Sequence, residues 1–241
     1  MKPAAVAATG AGAALIVHAA PALTFVGPLR ARLLPALAGV GDPDHVALTF
    51  DDGPDPHSTP AVLAALADLD WHATFFMLGS QVRAAPGLAA EVAAAGHEVA
   101  VHGTEHRSQL FRAPWSVVAD VERGRDLVQD ATGRVPRWFR PPYGTLSAGS
   151  LLAARRLGLA TVLWTAWGRD WRPEATPESI VADVDRDLHP GATVLLHDSD
   201  YTSAPGSWRA TVAALPLLAE RCAARGLKVG PLADHGIAAA R

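Results

Sequence analysis

Two adjacent carboxylates, Asp51 and Asp52, two histidines four residues apart, His102 and His106, and three single polar residues, Arg140, Asp170 and His197, are the side chains here whose types and spacing could do chemistry. Carboxylates as close as Asp51 and Asp52 repel, and a cation, a metal or a shared proton relieves them. On its own an Asp-Asp pair before Gly53-Pro54 is more often an ordinary solvated turn. His102 and His106 would face one ion together if a helical turn carried them, although an isolated His-x-x-x-His is more often two solvated loop residues. One carboxylate from Asp52 completes a two-His, one-Asp set. That set suits a catalytic zinc that keeps a position open for water, and it frees the second aspartate to act as a base. Imidazole and carboxylate do not by themselves select zinc over cobalt, nickel or iron.

Something must bring these residues together, and the apolar patterning supplies it. Short apolar runs at Val46–Phe50, Ala73–Leu78, Glu98–Val101, Trp138–Phe139, Ala160–Trp164, Ala192–Leu196 and Leu227–Val229 read as buried strands. Helical spacing separates them at 61–69, 87–95, 114–131, 147–157, 177–188 and 208–225. Thr59-Pro60 and Thr176-Pro177 read as caps with proline at the first helical position. Strand–helix alternation predicts a parallel sheet covered by helices, and seven units predict an α/β fold of the distorted (β/α)7 barrel kind. No Gly-x-Gly-x-x-Gly follows the first strand, which argues against a dinucleotide site. Asp51/Asp52, His102, Arg140, Asp170 and His197 all fall at or after the carboxyl end of a predicted strand. Barrels of parallel strands build their active sites there.

The 241 residues are 49% hydrophobic and 19% charged, which is globular rather than disordered, and a net charge of −3 gives no reason to expect a nucleic-acid partner. Cys222 is the only cysteine, so an intrachain disulfide and a cysteine-based metal cluster are both excluded. From Pro3 to Leu29 there is no charged side chain. This stretch reads as a signal peptide with Lys2 as its basic end, as a membrane anchor, or as a helical decoration packed on the domain. The expectation is therefore an apolar amino-terminal segment, 1–43, and a catalytic domain, 44–241. The protein would be exported or membrane-associated through that segment, with a cytoplasmic location left open.

The chain resembles the polysaccharide deacetylases (NodB-homology, carbohydrate esterase family 4). The resemblance rests on Thr49-Phe50-Asp51-Asp52-Gly53-Pro54, His102-Gly103-Thr104-Glu105-His106, Arg140-Pro141-Pro142-Tyr143-Gly144, Asp170-Trp171 and Leu195-Leu196-His197, in the family's order. It implies a metal-dependent hydrolase that removes N-acetyl or O-acetyl groups from a polysaccharide or oligosaccharide, a metal-activated water attacking the acyl carbonyl. It further implies Asp52, His102 and His106 as ligands of a divalent metal, zinc first, with cobalt or nickel as alternatives. Asp51 would be general base held by Arg140, and His197 general acid beside Asp170. The main-chain N–H of Tyr143 would meet the oxyanion, and Trp171 and Leu195 would wall the acetyl methyl. The polymer would be chitin-like, peptidoglycan or an exopolysaccharide. Val101 and Gly103 depart from the Asn and Ser/Thr common at those positions, which puts substrate and pH optimum in question. Alternatives are the same fold cutting an imide or acetylxylan, or a non-catalytic glycan-binding protein.

Overall fold

His45–Asp51 forms a strand in which every residue is buried, as a central parallel strand must be when helices cover one face of its sheet and the inside of the curl encloses the other. The computed structural model describes residues 16–237. A 3-10 turn, Ala20–Phe25, and two short helices, α1 (Gly27–Leu33) and α2 (Pro35–Ala38), lead into β1 (His45–Asp51). There follow α3 (Thr59–Asp68), β2 (Thr74–Met77), α4 (Gly79–Ala84), α5 (Pro86–Ala94), β3 (Glu98–Val101), α6 (Pro114–Thr132) and β4 (Trp138–Phe139). The chain then runs through α7 (Ala148–Leu157), β5 (Ala160–Thr161), β6 (Ala166–Trp167), α8 (Pro177–Asp187), β7 (Thr193–His197), α9 (Trp208–Ala224) and β8 (Lys228–Gly230). Seven strands lie in the order β5-β4-β3-β2-β1-β7-β6, all pairs parallel, and the sheet curls into the distorted barrel expected. The last strand, β8, pairs with the start of β1.

The main core fills the space between β1, β2, β3 and β7 and their covering helices, with Phe50 stacked on Phe75 at 5.2 Å between ring centroids. Each such fully buried side chain contributes about 1.5–3 kcal/mol. Cys222 is buried in this core on α9.

The strand expected over Ala160–Trp164 stops at Thr161 as β5; a separate strand, β6, begins at Ala166, and among the described residues the two do not pair with each other. The barrel therefore has a seam. The chain departs from strand geometry because arginines take its carbonyls. Arg140 donates to Val162 O at 3.3 Å and Leu163 O at 2.9 Å, and Arg30 of α1 donates to Trp164 O at 2.7 Å. The segment before β1 packs over this seam: Leu163 N–H donates to Leu37 O and the Thr193 hydroxyl to Gly39 O.

Two smaller expectations also change. Thr59 is not a helix cap; its hydroxyl donates to Asp198 Oδ2 at 2.6 Å and accepts from Asp55 N–H. Helix α4 has no sequence signal, since its first N–H groups find Gly103 O and Thr104 O across the fold rather than a capping side chain. Thr176, by contrast, caps α8 as expected, in a reciprocal box with Ser179. The leader or anchor expected over Pro3–Leu29 lies outside the described residues as far as residue 15. No helix among the described residues is long and apolar enough to cross a membrane.

Candidate active site

Asp51 ends β1 in register with His197 of β7 and Phe76 of β2, so parallel pairing alone brings residues 146 positions apart to one rim. The adjacent carboxylates diverge because Asp52 takes a left-handed backbone, φ 80°, a conformation short polar side chains tolerate best. Asp51 Oδ1 accepts from Arg140 Nη1 at 2.7 Å. Arg140 is fully buried; its Nη1 also donates to Thr49 Oγ1 and its guanidinium lies 4.0 Å over the Phe76 ring. Burial raises the Asp51 carboxyl above its ordinary range, and the charge of Arg140 is the main force opposing that. Burial likewise works against the Arg140 cation, and Asp51 supports it.

Asp52 points the other way, at two imidazoles. Its Oδ1 lies 3.4 Å from His102 Nε2 and 3.5 Å from His106 Nε2. No helical turn carries the pair. Residues 103–106 are an irregular loop that reverses at Gly103, φ 90°, where an added Cβ would come within 3.0 Å of Asp120. The rings reach each other all the same, 5.4 Å between centroids. His102 Nδ1 can only donate to its partner, Arg140 O at 2.8 Å, and burial holds the ring neutral by lowering its pKa to about 3. Its Nε2 therefore presents a lone pair toward Asp52. Asp52 Oδ1 is itself buried with no hydrogen-bond partner, and one atom from each of Asp52, His102 and His106 lies within 4.8 Å of the others. An orphaned carboxylate oxygen between two imidazole nitrogens, one a fixed acceptor, fits a small divalent cation.

The second oxygen of Asp52 accepts from Thr202 Oγ1 on the loop after β7. Thr202 lies in the polar stretch 201–208, and nothing in the local sequence marks it for this contact. A hydrogen bond to a ligating carboxylate orients it, and its loss commonly costs 10- to 100-fold in metal affinity. If Asp52 holds a divalent metal, Thr202→Val is expected to weaken its binding by about that factor, with Thr202→Ser close to wild type. Competition against a chromogenic chelator measures it.

On the opposite wall Asp170 grips His197 twice, Oδ1 to the ring Nδ1 at 2.7 Å and Oδ2 to the main-chain N–H at 2.8 Å, while Thr211 donates to Oδ2. Burial is the largest single influence on His197 and disfavours its charge. The Asp170 carboxylate, with Asp52 and Asp51, overcomes it and raises the pKa to about 10. The cavity between the two walls is about 340 Å³, and Asp51, His102, His106, Tyr143, Trp171, Leu195 and His197 line it with Trp164, Trp167, Thr202 and Ser203. Every residue singled out at the strand ends thus meets at this cavity or directly behind it. Tyr143 has a left-handed backbone, φ 61°, and its ring meets His106 edge-on at 4.3 Å. Trp171 stacks on Trp167 at 4.4 Å, and Leu195 packs with Leu163 and Trp164. Asp198, next to His197, is buried and accepts from Gly53 N–H and Thr59, bracing the turn that aims Asp52.

A curled parallel barrel whose carboxyl rim joins a candidate Asp/His/His cation site to two ion-paired acid–base couples defines a class of metal-assisted barrel hydrolases. The chain belongs to the polysaccharide deacetylase family, whose sequence model matches residues 38–162. It is 38% identical over 198 residues to a chitooligosaccharide deacetylase of Bradyrhizobium, covering 78% of this chain and 88% of that protein. It is 38% identical over 155 residues to a peptidoglycan-N-acetylglucosamine deacetylase of Bacillus cereus, covering 64% and 72%. Among solved structures it is similar to a mutant of a family 4 carbohydrate esterase pseudoenzyme with restored enzymatic activity, with TM-score 0.72 and 28% identity over 80% of this chain and 67% of that one. A family that includes a pseudoenzyme makes the side chains of the site, rather than the fold, the evidence for activity.

Proposed function

We propose that the protein is a zinc-dependent deacetylase of N-acetylated glycans, with Asp52, His102 and His106 holding the metal. The observation that carries the reading is the unpartnered Asp52 oxygen between two imidazole nitrogens, with Asp51 and His197 on the same cavity. A divalent cation held by these three residues would supply Lewis acidity for activating water and polarising the acetyl carbonyl. Asp51, oriented by Arg140, takes the proton of the attacking water. The Tyr143 main-chain N–H, presented by its left-handed turn, donates to the developing oxyanion. His197 gives its proton to the departing amine, which is a poor leaving group while unprotonated. Asp170 keeps that proton in place until it is needed. Trp171 and Leu195 enclose the acetyl methyl.

The substrate we favour is a chitin-like oligosaccharide, on the strength of the Bradyrhizobium relative, with peptidoglycan second through the Bacillus cereus one. We place the catalytic unit at 44–241 and the described stretch before it, 16–43, as an extension packed on that unit, in a protein that is exported or membrane-associated. Exposed apolar side chains at Leu23, Val26, Leu29 and Leu33 support contact with a membrane surface. Acetate release from a chitooligosaccharide, peptidoglycan and acetylxylan, set beside ring opening of a cyclic imide, tests the reading. The first two should yield acetate. Chelation should remove activity by at least about 100-fold, and zinc should restore it. Turnover unaffected by exhaustive chelation, or confined to the imide, would overturn the proposal.

A further inference from the structure

Arg30 precedes the family match, which begins at residue 38, yet it is more than nine-tenths buried. No acidic side chain pairs with it among the described residues. Burial and then the charge of Arg140 both work against its own charge. Burying a second cation beside a first is costly, and a residue that merely filled the seam would be apolar. What offsets the cost is a pair of carbonyls: Nη2 donates to Trp164 O at 2.7 Å and Nη1 to Thr24 O at 2.9 Å. Arg140, on the same segment, holds the two preceding carbonyls. Three consecutive carbonyls, 162 to 164, are thus satisfied by two guanidiniums, one of which grips Asp51.

We propose that Arg30 is a positioning residue of the active site. By fixing Trp164 O it completes, from outside the family's matched region, the frame in which Arg140 orients Asp51 and Trp164 walls the cavity. The inference rests on the deacetylase reading for its kinetic consequence and on geometry alone for its structural one. Contacts along the arm support it, since Leu163 N–H donates to Leu37 O and Thr193 to Gly39 O, tying the same segment at further points. The Gly39 turn is itself committed to the contact: its φ is 81° and an added Cβ would meet Thr193 Oγ1 at 2.6 Å.

The test uses the full chain loaded with zinc, as Arg30→Met and Arg30→Lys. Arg30→Met is expected to speed amide hydrogen exchange at Leu163 and Thr165 by about tenfold while β1 and β2 stay protected. It should lower kcat for acetate release from a chitooligosaccharide by about 10- to 100-fold, because misplacement of a reacting group by about 1 Å has that effect. KM should change by less than about threefold. Arg30→Lys, which keeps one donor, should recover part of both. Wild-type kcat in Arg30→Met would overturn the proposal, as would exchange accelerated throughout the sheet with no recovery in Arg30→Lys. A wild-type protein that releases no acetate defeats the deacetylase reading instead, and the exchange at 163 and 165 in the two variants still decides the role of Arg30.

Discussion

Asp51→Asn is expected to abolish acetate release, lowering kcat by about 10²–10⁴-fold, the range lost with a general base. Zinc binding should survive. The asparagine keeps an oxygen for Arg140 Nη1 and leaves Asp52 between its two histidines, but its amide cannot accept the proton of the attacking water. Asp51→Ala is a harsher change, because it strands the buried Arg140 cation. Breaking one side of a buried pair destabilises by about 3–5 kcal/mol. Kinetics and chelator competition on the asparagine variant therefore separate base from ligand: activity lost with metal retained supports the assignment, and full activity rejects it. His197→Ala should give a loss of similar size on acetamide substrates and a smaller one on activated acetate esters, whose leaving groups need no proton.

Asp170→Asn should move the alkaline side of the pH–kcat profile toward lower pH. The sign follows from the two opposing influences on His197. Burial disfavours the imidazolium, and Asp170 with the two site carboxylates overcomes it, so the proton is held up to about 10. Activity that needs this proton is complete at lower pH and fades as pH rises through that pKa. Without the Asp170 charge, burial acts largely unopposed and the limb falls toward or below the ordinary histidine value. A dication on Asp52 would repel the imidazolium and lower both limbs without reversing their order. The same pair stabilises the fold below the unfolded histidine pKa of about 6.5, and this contribution fades as pH rises through the folded value. A full pH–kcat profile of both proteins decides it. An unshifted limb in the variant would remove His197 from the role of acid.

Much of this arrangement was legible because parallel strands announce themselves as apolar runs and deliver whatever follows them to one rim. Glu98–Val101 and Trp138–Phe139 form strands over those same residues, and His102 and Arg140 follow them directly. The sequence is less informative where tertiary partners override local pattern. Ala160–Trp164 has the composition of one strand, but three of its carbonyls are claimed by Arg140 and Arg30, the second 134 residues away. The 102/106 histidines converge by a glycine reversal rather than a helical turn, which four-residue spacing cannot distinguish. Thr202 reaches Asp52 across 150 residues, and nothing local marks one threonine in a polar loop for that contact.

The solitary thiol of Cys222 gives these experiments a built-in clock. It lies in the core on α9, and burial pushes its pKa up to about 11, so in the native protein it is both unreachable and protonated, while alkylating reagents attack only the thiolate. Labelling at pH 8 should therefore proceed no faster than this helix opens, and mass spectrometry should count one adduct per chain with no background from other cysteines. A variant that labels at the wild-type rate yet has lost turnover has lost chemistry; one that labels quickly has lost its architecture.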